Sequence, residues 1–401
     1  EKSVNVSDPR TLTADPGTQD VPDSNYLPEA GHLYCQDLPS TPIPSLGTVL
    51  VTGGTGYIGG RLVPELLARG YRVRVMVRGP SAEYADRWPK ADVVVADASD
   101  AASLSAALKG VHTAYYLIHS LLLGPHEFEA SDLANAGNFR RAAEENGLSR
   151  IIYLGGLGDV RTSLSPHLRS RARVAEELGS GSIPTTVLRA AVIIGSGSAS
   201  YEIIEHLVRR FPVMFIPYWG RTKCQPIGIR DVIKYLVGVL EKPETSGASF
   251  DIGGKDVLTY EMMMRIFADI LGKRRVFLFS PFSRVQFYAY VTGLLTPVPA
   301  PIIRSLMEGL RNDVVCHDNR ISSVLPFRML TYREAIVRAL SREDQDVVYT
   351  RWSDAYPPTH ALAIKLGELK APPRYTAKSS LLTAKPGDAL FRSVCRIGGK
   401  G

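Results

Sequence analysis

The stretch Thr48-Val49-Leu50-Val51-Thr52-Gly53-Gly54-Thr55-Gly56-Tyr57-Ile58-Gly59-Gly60-Arg61-Leu62 decides the fold. A short run rich in β-branched residues, Val49 to Thr52, meets a turn carrying Gly53, Gly56 and Gly59. A helical pattern follows, with Leu62, Leu66 and Leu67 on one face, and Tyr71 to Val77 reads as a second strand. This is a βαβ unit with glycines where a dinucleotide pyrophosphate has to approach the backbone. Gly53 permits the tight turn, Gly56 removes a side chain that would block the phosphates, and Gly59 lets the helix pack closely. The N–H groups that open the helix then face the negative charge.

The end of the second strand speaks to which dinucleotide. A carboxylate there would hydrogen-bond the ribose 2′-hydroxyl of NAD. The strand holds no Asp or Glu and ends at Arg78, whose fork of donors suits a phosphate. The expected cofactor is therefore NADP(H), with Arg61 on the first helix as a possible second cation. The alternative for Arg78 is a solvated charge at a strand end.

Alternation of strands and helices continues from residue 48 to about 195. Strands are expected at Val93–Ala96, Thr113–Ile118, Arg150–Leu154 and Thr185–Leu188, with helices at Asp100–Leu108, Phe128–Asn146 and Leu168–Leu178. The pattern predicts an α/β protein with a doubly wound parallel Rossmann sheet, in which ligands bind outside the carboxyl ends of the strands. From about 196 to 340 the pattern becomes irregular and reads as a smaller, substrate-side subdomain. Its helices are expected at Tyr201–Arg210, Asp231–Leu240 and Tyr260–Leu271, and its strands near Gln225–Ile229 and Ser249–Ile252. Pro64 falls inside the first helix, where a lost hydrogen bond costs about 3 kcal/mol and predicts a kink.

The 401 residues are 45% hydrophobic and 22% charged, ordinary for a globular chain. The net charge is +7, but residues 1–47 carry seven acidic and two basic side chains, which leaves +12 for the remainder. With seven prolines, that segment reads as an irregular arm draped on a surface or a partner. The later Lys and Arg are scattered and form no concentrated basic stripe, so nucleic acid is not the expected partner. Cys35, Cys224, Cys316 and Cys395 have no metal or redox spacing, and the eight histidines show no metal pattern. A reducing, cytoplasmic compartment and no metal are expected, although a chain that begins at Glu1 is compatible with a removed targeting segment. The most apolar run, Phe287 to Ile303, is broken by Pro297, Pro299 and Pro301, so no transmembrane segment is expected. It reads as a buried helix and turn, or as a surface that meets a partner. After a charged linker at Arg342–Asp346, residues 347–401 read as the start of a C-terminal module, ending in a helix over Asp388–Gly401.

These pieces resemble the extended and atypical short-chain dehydrogenase/reductase superfamily over about residues 48–340. The loop Thr52–Gly59 is similar to its nucleotide loop and Asp97-Ala98 to its adenine-contacting pair. Leu188–Gly195 is similar to its sixth-strand segment beside the nicotinamide, and Ile229-Arg230-Asp231-Val232 and Phe250–Gly254 to two later landmarks. The resemblance implies a cofactor site formed by Gly53, Thr55, Gly56, Tyr57, Ile58, Gly59, Arg78, Asp97, Ala98, Ile118, His119, Leu154 and Ala191. Within the superfamily the chain is most similar to NmrA-like proteins. Tyr115–Ser120, Tyr153–Gly158 and Gly195–Ser200 are similar to a bacterial branch in which a C-terminal domain of unknown function follows the dinucleotide-binding part.

Catalytic members use a tyrosine and, four residues later, a lysine on the helix after the fifth strand, together with a serine after that strand. Here the matching positions are His167 and Arg171, and Gly155 and Gly156 stand in the serine's region. His167 could exchange a proton near neutral pH and Arg171 could hold the ribose hydroxyls, or His167 is only a helix-start residue after Pro166. His119 is a second candidate near the nicotinamide. Two functions follow. One is an oxidoreductase acting on a hydrophobic carbonyl or alkene, with Phe211, Phe215, Tyr218 and Trp219 in an apolar pocket within residues 196–310. The other is a non-catalytic redox sensor, or a subunit or assembly factor of a larger complex.

Overall fold

A computed structural model of the chain describes residues 33–79, 84, 87–119, 127–158, 164–282, 284–296, 298–341 and 351–355. Seven strands form one parallel sheet in the order β3-β2-β1-β4-β5-β6-β11. They are β1 (Thr48–Val51), β2 (Arg72–Val77), β3 (Asp92–Val95), β4 (Val111–Tyr116), β5 (Arg150–Gly156), β6 (Thr185–Ala190) and β11 (Ser249–Ile252). Between them run α1 (Gly59–Ala68), α2 (Ala101–Leu108), α3 (Glu127–Glu145), α4 (Pro166–Gly179) and α6 (Ile229–Leu240). The doubly wound reading holds.

Alternation along β1 divides the core. Val49 and Val51 pack with Leu62 and Leu66 of α1 and with Leu236 of α6 on one face. Leu50 packs with Leu104 of α2, Phe139 of α3 and Val174 of α4 on the other. Both faces are covered, which is why the strand is apolar throughout rather than alternating with polar residues. α1 runs unbroken through Pro64, whose ring is half-buried.

The arm's described end, residues 33–47, is pinned to the α1/α6 face by buried charge. Glu65 accepts the backbone N–H groups of Tyr34 and Cys35. Arg69 binds the Cys35 and Ser40 carbonyls at 2.9 and 2.7 Å and pairs with Glu241 at 2.6 Å. Lys234 of α6 reaches Asp37 at 2.7 Å.

The substrate-side part holds α5 (Ala199–Arg210), α7 (Tyr260–Ile270), α8 (Val285–Leu295), α9 (Ala300–Gly309), α10 (Arg320–Val324) and α11 (Tyr332–Leu340). Two strands unforeseen from the sequence, β8 (Val213–Pro217) and β13 (Val276–Ser280), form a parallel ribbon. The expected strand near 225–229 is instead two fragments, β9 (Lys223–Cys224) and β10 (Ile227–Gly228), which pair with β12 (Leu258–Thr259) and β7 (Ile193–Ile194). α6 begins at Ile229, two residues early, because Gly228 turns the chain directly into it. The Phe287–Ile303 run is divided between α8 and α9. No helix among the described residues is long and apolar enough to cross a membrane. Arg342–Asp346, Asp388–Gly401 and Cys395 lie outside the described residues.

Candidate functional site

The order in which strands are added reverses between β1 and β4, and the chain leaving β1 turns there under tight constraint. Thr52 is fully buried; its hydroxyl donates to the Tyr115 carbonyl at 3.0 Å and accepts the Leu117 N–H at 2.9 Å. Gly53 then takes φ +62°, a conformation open to glycine, and Gly56 N–H closes on the Gly53 carbonyl at 3.0 Å. α1 starts at Gly59 with no side-chain cap; the Gly60 and Arg61 N–H groups close on the Gly56 and Ile58 carbonyls at 3.0 and 3.1 Å, so the loop's own backbone holds the first turn. A Cβ on Gly59 would stand 2.3 Å from the Gly53 oxygen. The third glycine thus allows the helix to close on the loop itself.

A cavity of about 610 Å³ opens at this switch point, and the thirteen residues of the implied cofactor site line it together with His167 and Arg171. Gly53, Thr55, Gly56, Tyr57, Ile58 and Gly59 form one end. Arg78 and the pair Asp97 and Ala98 stand at the carboxyl ends of β2 and β3. Asp97 accepts the Ser99 N–H and hydroxyl at 2.8 and 2.6 Å; those bonds, with the nearby Arg78 charge, hold its carboxyl below the usual range. Ile118, His119, Leu154 and Ala191 continue the wall from β4, β5 and β6 toward His167 and Arg171 on α4.

α4 is fixed by Ser165, which caps Leu168 N–H at 3.4 Å, and by Pro166 at its first position. His167 and Arg171 are four residues apart and therefore share a face. Enclosure by the cavity walls and the Arg171 charge push the His167 imidazole down to about 3. His119 shifts in the same direction for the same reasons, with His167 as a further neighbour. Its side chain is open to the cavity, where water screens part of that effect. Both rings are neutral at pH 7. The Arg171 Nε is buried and has no acceptor among the described residues, so this N–H can donate to a group in the cavity.

Several expectations fail on tertiary grounds. Arg61 does not face the cavity: its guanidinium stacks 4.2 Å from the Tyr57 ring and donates to the Tyr57 and Ser196 carbonyls at 3.0 and 2.9 Å. It ties the loop to the segment after β7. Phe211, Phe215, Tyr218 and Trp219 are all absent from the cavity wall. Phe215 and Tyr218 are 60% and 50% exposed, whereas Trp219 is buried in a separate cluster with α8 and α9. Gly155 and Gly156 end β5 rather than follow it, and a Cβ on Gly156 would come within 3.1 Å of Leu168. Side chains of Leu168 and Arg171 on α4 thus lie against Gly156, where a serine side chain would stand.

Other wall residues had no sequence motif. Ser131 and Asn135 lie one turn apart on α3, a spacing that marks a shared face but not which face is inward. Ile302, Leu306 and Leu310 close the apolar end, with Trp352 beside them. Trp352 Nε1 donates to Glu202 at 2.8 Å and its backbone N–H to Gly197 at 2.9 Å. The described part of the expected C-terminal module is therefore part of this wall. Among the described residues no group of three or more His, Cys, Asp or Glu side chains could hold a metal ion. Cys35, Cys224 and Cys316 are free thiols.

Sheet order, glycine loop and cavity together define an atypical short-chain dehydrogenase/reductase with an NAD(P)-type Rossmann fold. The NmrA-like family model matches residues 45–310, and the chain belongs to that family. It is 27% identical over 287 residues to NADH dehydrogenase [ubiquinone] 1 alpha subcomplex subunit 9, mitochondrial, of Arabidopsis thaliana, covering 68% of this chain and 71% of that protein. It is 25% identical over 231 residues to a ceramide reductase of Caulobacter vibrioides, covering 57% and 72%. Among solved structures, a triphenylmethane reductase of Citrobacter superposes with a TM-score of 0.61 at 17% identity, covering 73% of this chain and 99% of that one.

Proposed function

We propose that the chain binds NADP(H) at the glycine loop and acts as an oxidoreductase on a hydrophobic carbonyl or alkene substrate. One observation carries this reading: a single cavity runs from the loop past Arg171 to an apolar end at Ile302, Leu306 and Leu310. The residues present suit a dinucleotide. The loop has no room for a Cβ at Gly59, no side chain stands over the start of α1, and the buried Arg171 Nε has no acceptor among the described residues. When bound, the nicotinamide supplies or accepts the hydride. Arg78 would hold the 2′-phosphate and Asp97–Ala98 the adenine edge. Arg171 would hold ribose hydroxyls or a substrate oxygen.

His167 would then act as a neutral hydrogen-bond donor rather than as a proton donor like tyrosine, because its imidazolium is strongly disfavoured. The proton delivered to a reduced carbonyl would come from water. The replacement of the tyrosine, lysine and serine by His167, Arg171 and glycine favours a second reading, a dinucleotide-binding subunit or redox sensor without turnover. The similarity to a complex subunit supports it.

Titration with NADPH and NADH tests the cofactor, with at least about tenfold tighter NADPH binding expected and a preference reduced by roughly 1–3 kcal/mol in Arg78→Asp. Equal affinities in the unmodified protein would refute the role of Arg78. Oxidation of bound NADPH across a panel of carbonyl compounds separates the two functions. Tight binding without turnover, unchanged by His167→Ala, would leave the subunit or sensor reading standing.

A further inference from the structure

The ribbon and α8, on the outside of the substrate-side part, bury little of their apolar surface. Of the thirteen exposed large apolar side chains among the described residues, ten lie on β8, the turn after it, β13, the β13–α8 turn or α8. Val213 and Phe215 stand opposite Val276 and Leu278 in the ribbon register and share its outer face. Phe287, Tyr290 and Leu294, 52–68% exposed, follow three- and four-residue spacing along one stripe of α8. The helix is tied to the ribbon at both ends: Phe282, just after β13, meets Phe287 and Tyr288 of α8 with ring centroids 5.0 and 6.4 Å apart, and Arg210, just before β8, donates to the Leu295 carbonyl at 2.6 Å. Scattered exposed leucines are ordinary, but a band concentrated on neighbouring elements marks an interaction surface.

The chain that forms β13 and α8 carries charge of one sign, and Glu261, which stands beside the ribbon, is paired with Arg221 and Arg265. Between Asp269 and Glu308 the sequence has no acidic residue and five basic ones, Lys273, Arg274, Arg275, Arg284 and Arg304. Arg275 is committed to the Val208 and Arg209 carbonyls and Arg304 to Glu308. Lys273, Arg274 and Arg284 are exposed at the ends of β13 and α8. Aromatic and leucine side chains flanked by unneutralised cations form the composition that settles into the headgroup boundary of an anionic bilayer, with rings at the interface and cations on phosphates. α8 also packs on α9, whose Ile302 and Leu306 line the cavity, so the band lies on the outside of the cavity's apolar roof.

We propose that the β8–β13 ribbon and α8 dock this protein peripherally on an anionic membrane surface. The inference does not depend on the cofactor or on turnover. Flotation of the full chain with phosphatidylcholine vesicles, with and without added phosphatidylglycerol as the anionic lipid, tests it. Anionic vesicles should carry the protein at low salt and release it as salt rises. Phe287→Asp with Leu294→Asp should lower partitioning at least about tenfold, while far-ultraviolet dichroism and NADPH affinity stay unchanged. Lys273→Glu with Arg274→Glu should weaken binding to anionic vesicles and steepen none of the residual binding to neutral ones. Absence from anionic vesicles at low salt, or flotation unaltered in the Phe287/Leu294 variant, overturns the proposal. So does a concentration-dependent dimer by light scattering that this variant abolishes while unmodified protein ignores the vesicles.

Discussion

Replacing Gly59 with alanine tests whether the glycine loop has to keep its present shape for function. The added methyl would stand 2.3 Å from the Gly53 oxygen and 2.8 Å from the Gly53 carbonyl carbon and the Gly54 Cα. All three are backbone atoms, so no side chain can rotate away. Ordinary contact requires a retreat of about 1 Å, which costs about 1–3 kcal/mol where a core is overfilled. The retreat moves the N–H groups at the start of α1 relative to the loop. Losing one charge-assisted hydrogen bond to a phosphate is worth roughly 1.5–3 kcal/mol, about tenfold to over a hundredfold in Kd. Thermal unfolding and NADPH fluorescence titration read the two effects separately. Gly179→Ala is the control, since nothing lies within 4 Å of its added methyl and it should leave both readings near those of the parent. If Gly59→Ala melts like the parent and binds NADPH with the same affinity, the loop is not the phosphate site.

Arg171→Met should weaken NADPH binding or raise KM by about tenfold with little loss of stability, because the Nε has no acceptor to lose; a melting temperature that falls while binding holds would contradict this. Thr52→Val strands the Leu117 N–H while the Tyr115 carbonyl keeps the Thr52 N–H, so chemical denaturation should show a loss of about 1–3 kcal/mol. Glu241→Gln leaves Arg69 without its buried counter-charge and should cost about 3 kcal/mol, with faster proteolysis of the arm as a second readout. His167 has a folded pKa below its unfolded 6.5, so the unfolded chain binds more protons between the two values. Its contribution is complete above pH 6.5 and is lost as pH falls toward 3. His167→Gln should flatten that part of the stability profile, and an unchanged slope would show the ring is solvated.

Most of the sheet, and the grouping of the glycine loop with Arg78 and Asp97 at one cavity, were legible in the sequence. β1 and its loop follow from local rules: branched residues prefer strands, and three glycines sit where backbone must approach backbone. Asp100 was read as a helix start, and its carboxylate does accept the Ala102 and Ser103 N–H groups. The substrate side was less legible. β8 and β13 are 63 residues apart in the register Val213↔Val276, and each is a short apolar run equally compatible with a core segment. Without its partner, Phe215 could be assigned to a pocket as readily as to the surface.

The sequence by itself determined the βαβ unit, the glycine turn and the alternation that makes the sheet parallel, because each depends on periods of a few residues. Tertiary structure alone decided what each face meets. It turned Arg61 away from the cavity onto Tyr57, brought Leu168 against Gly156, and set Trp352 in the cavity wall. It also left Arg171 without an acceptor and enclosed His167 so that it stays neutral. Burial and charge compensation are sums over neighbours distant in the chain, and no local pattern encodes them.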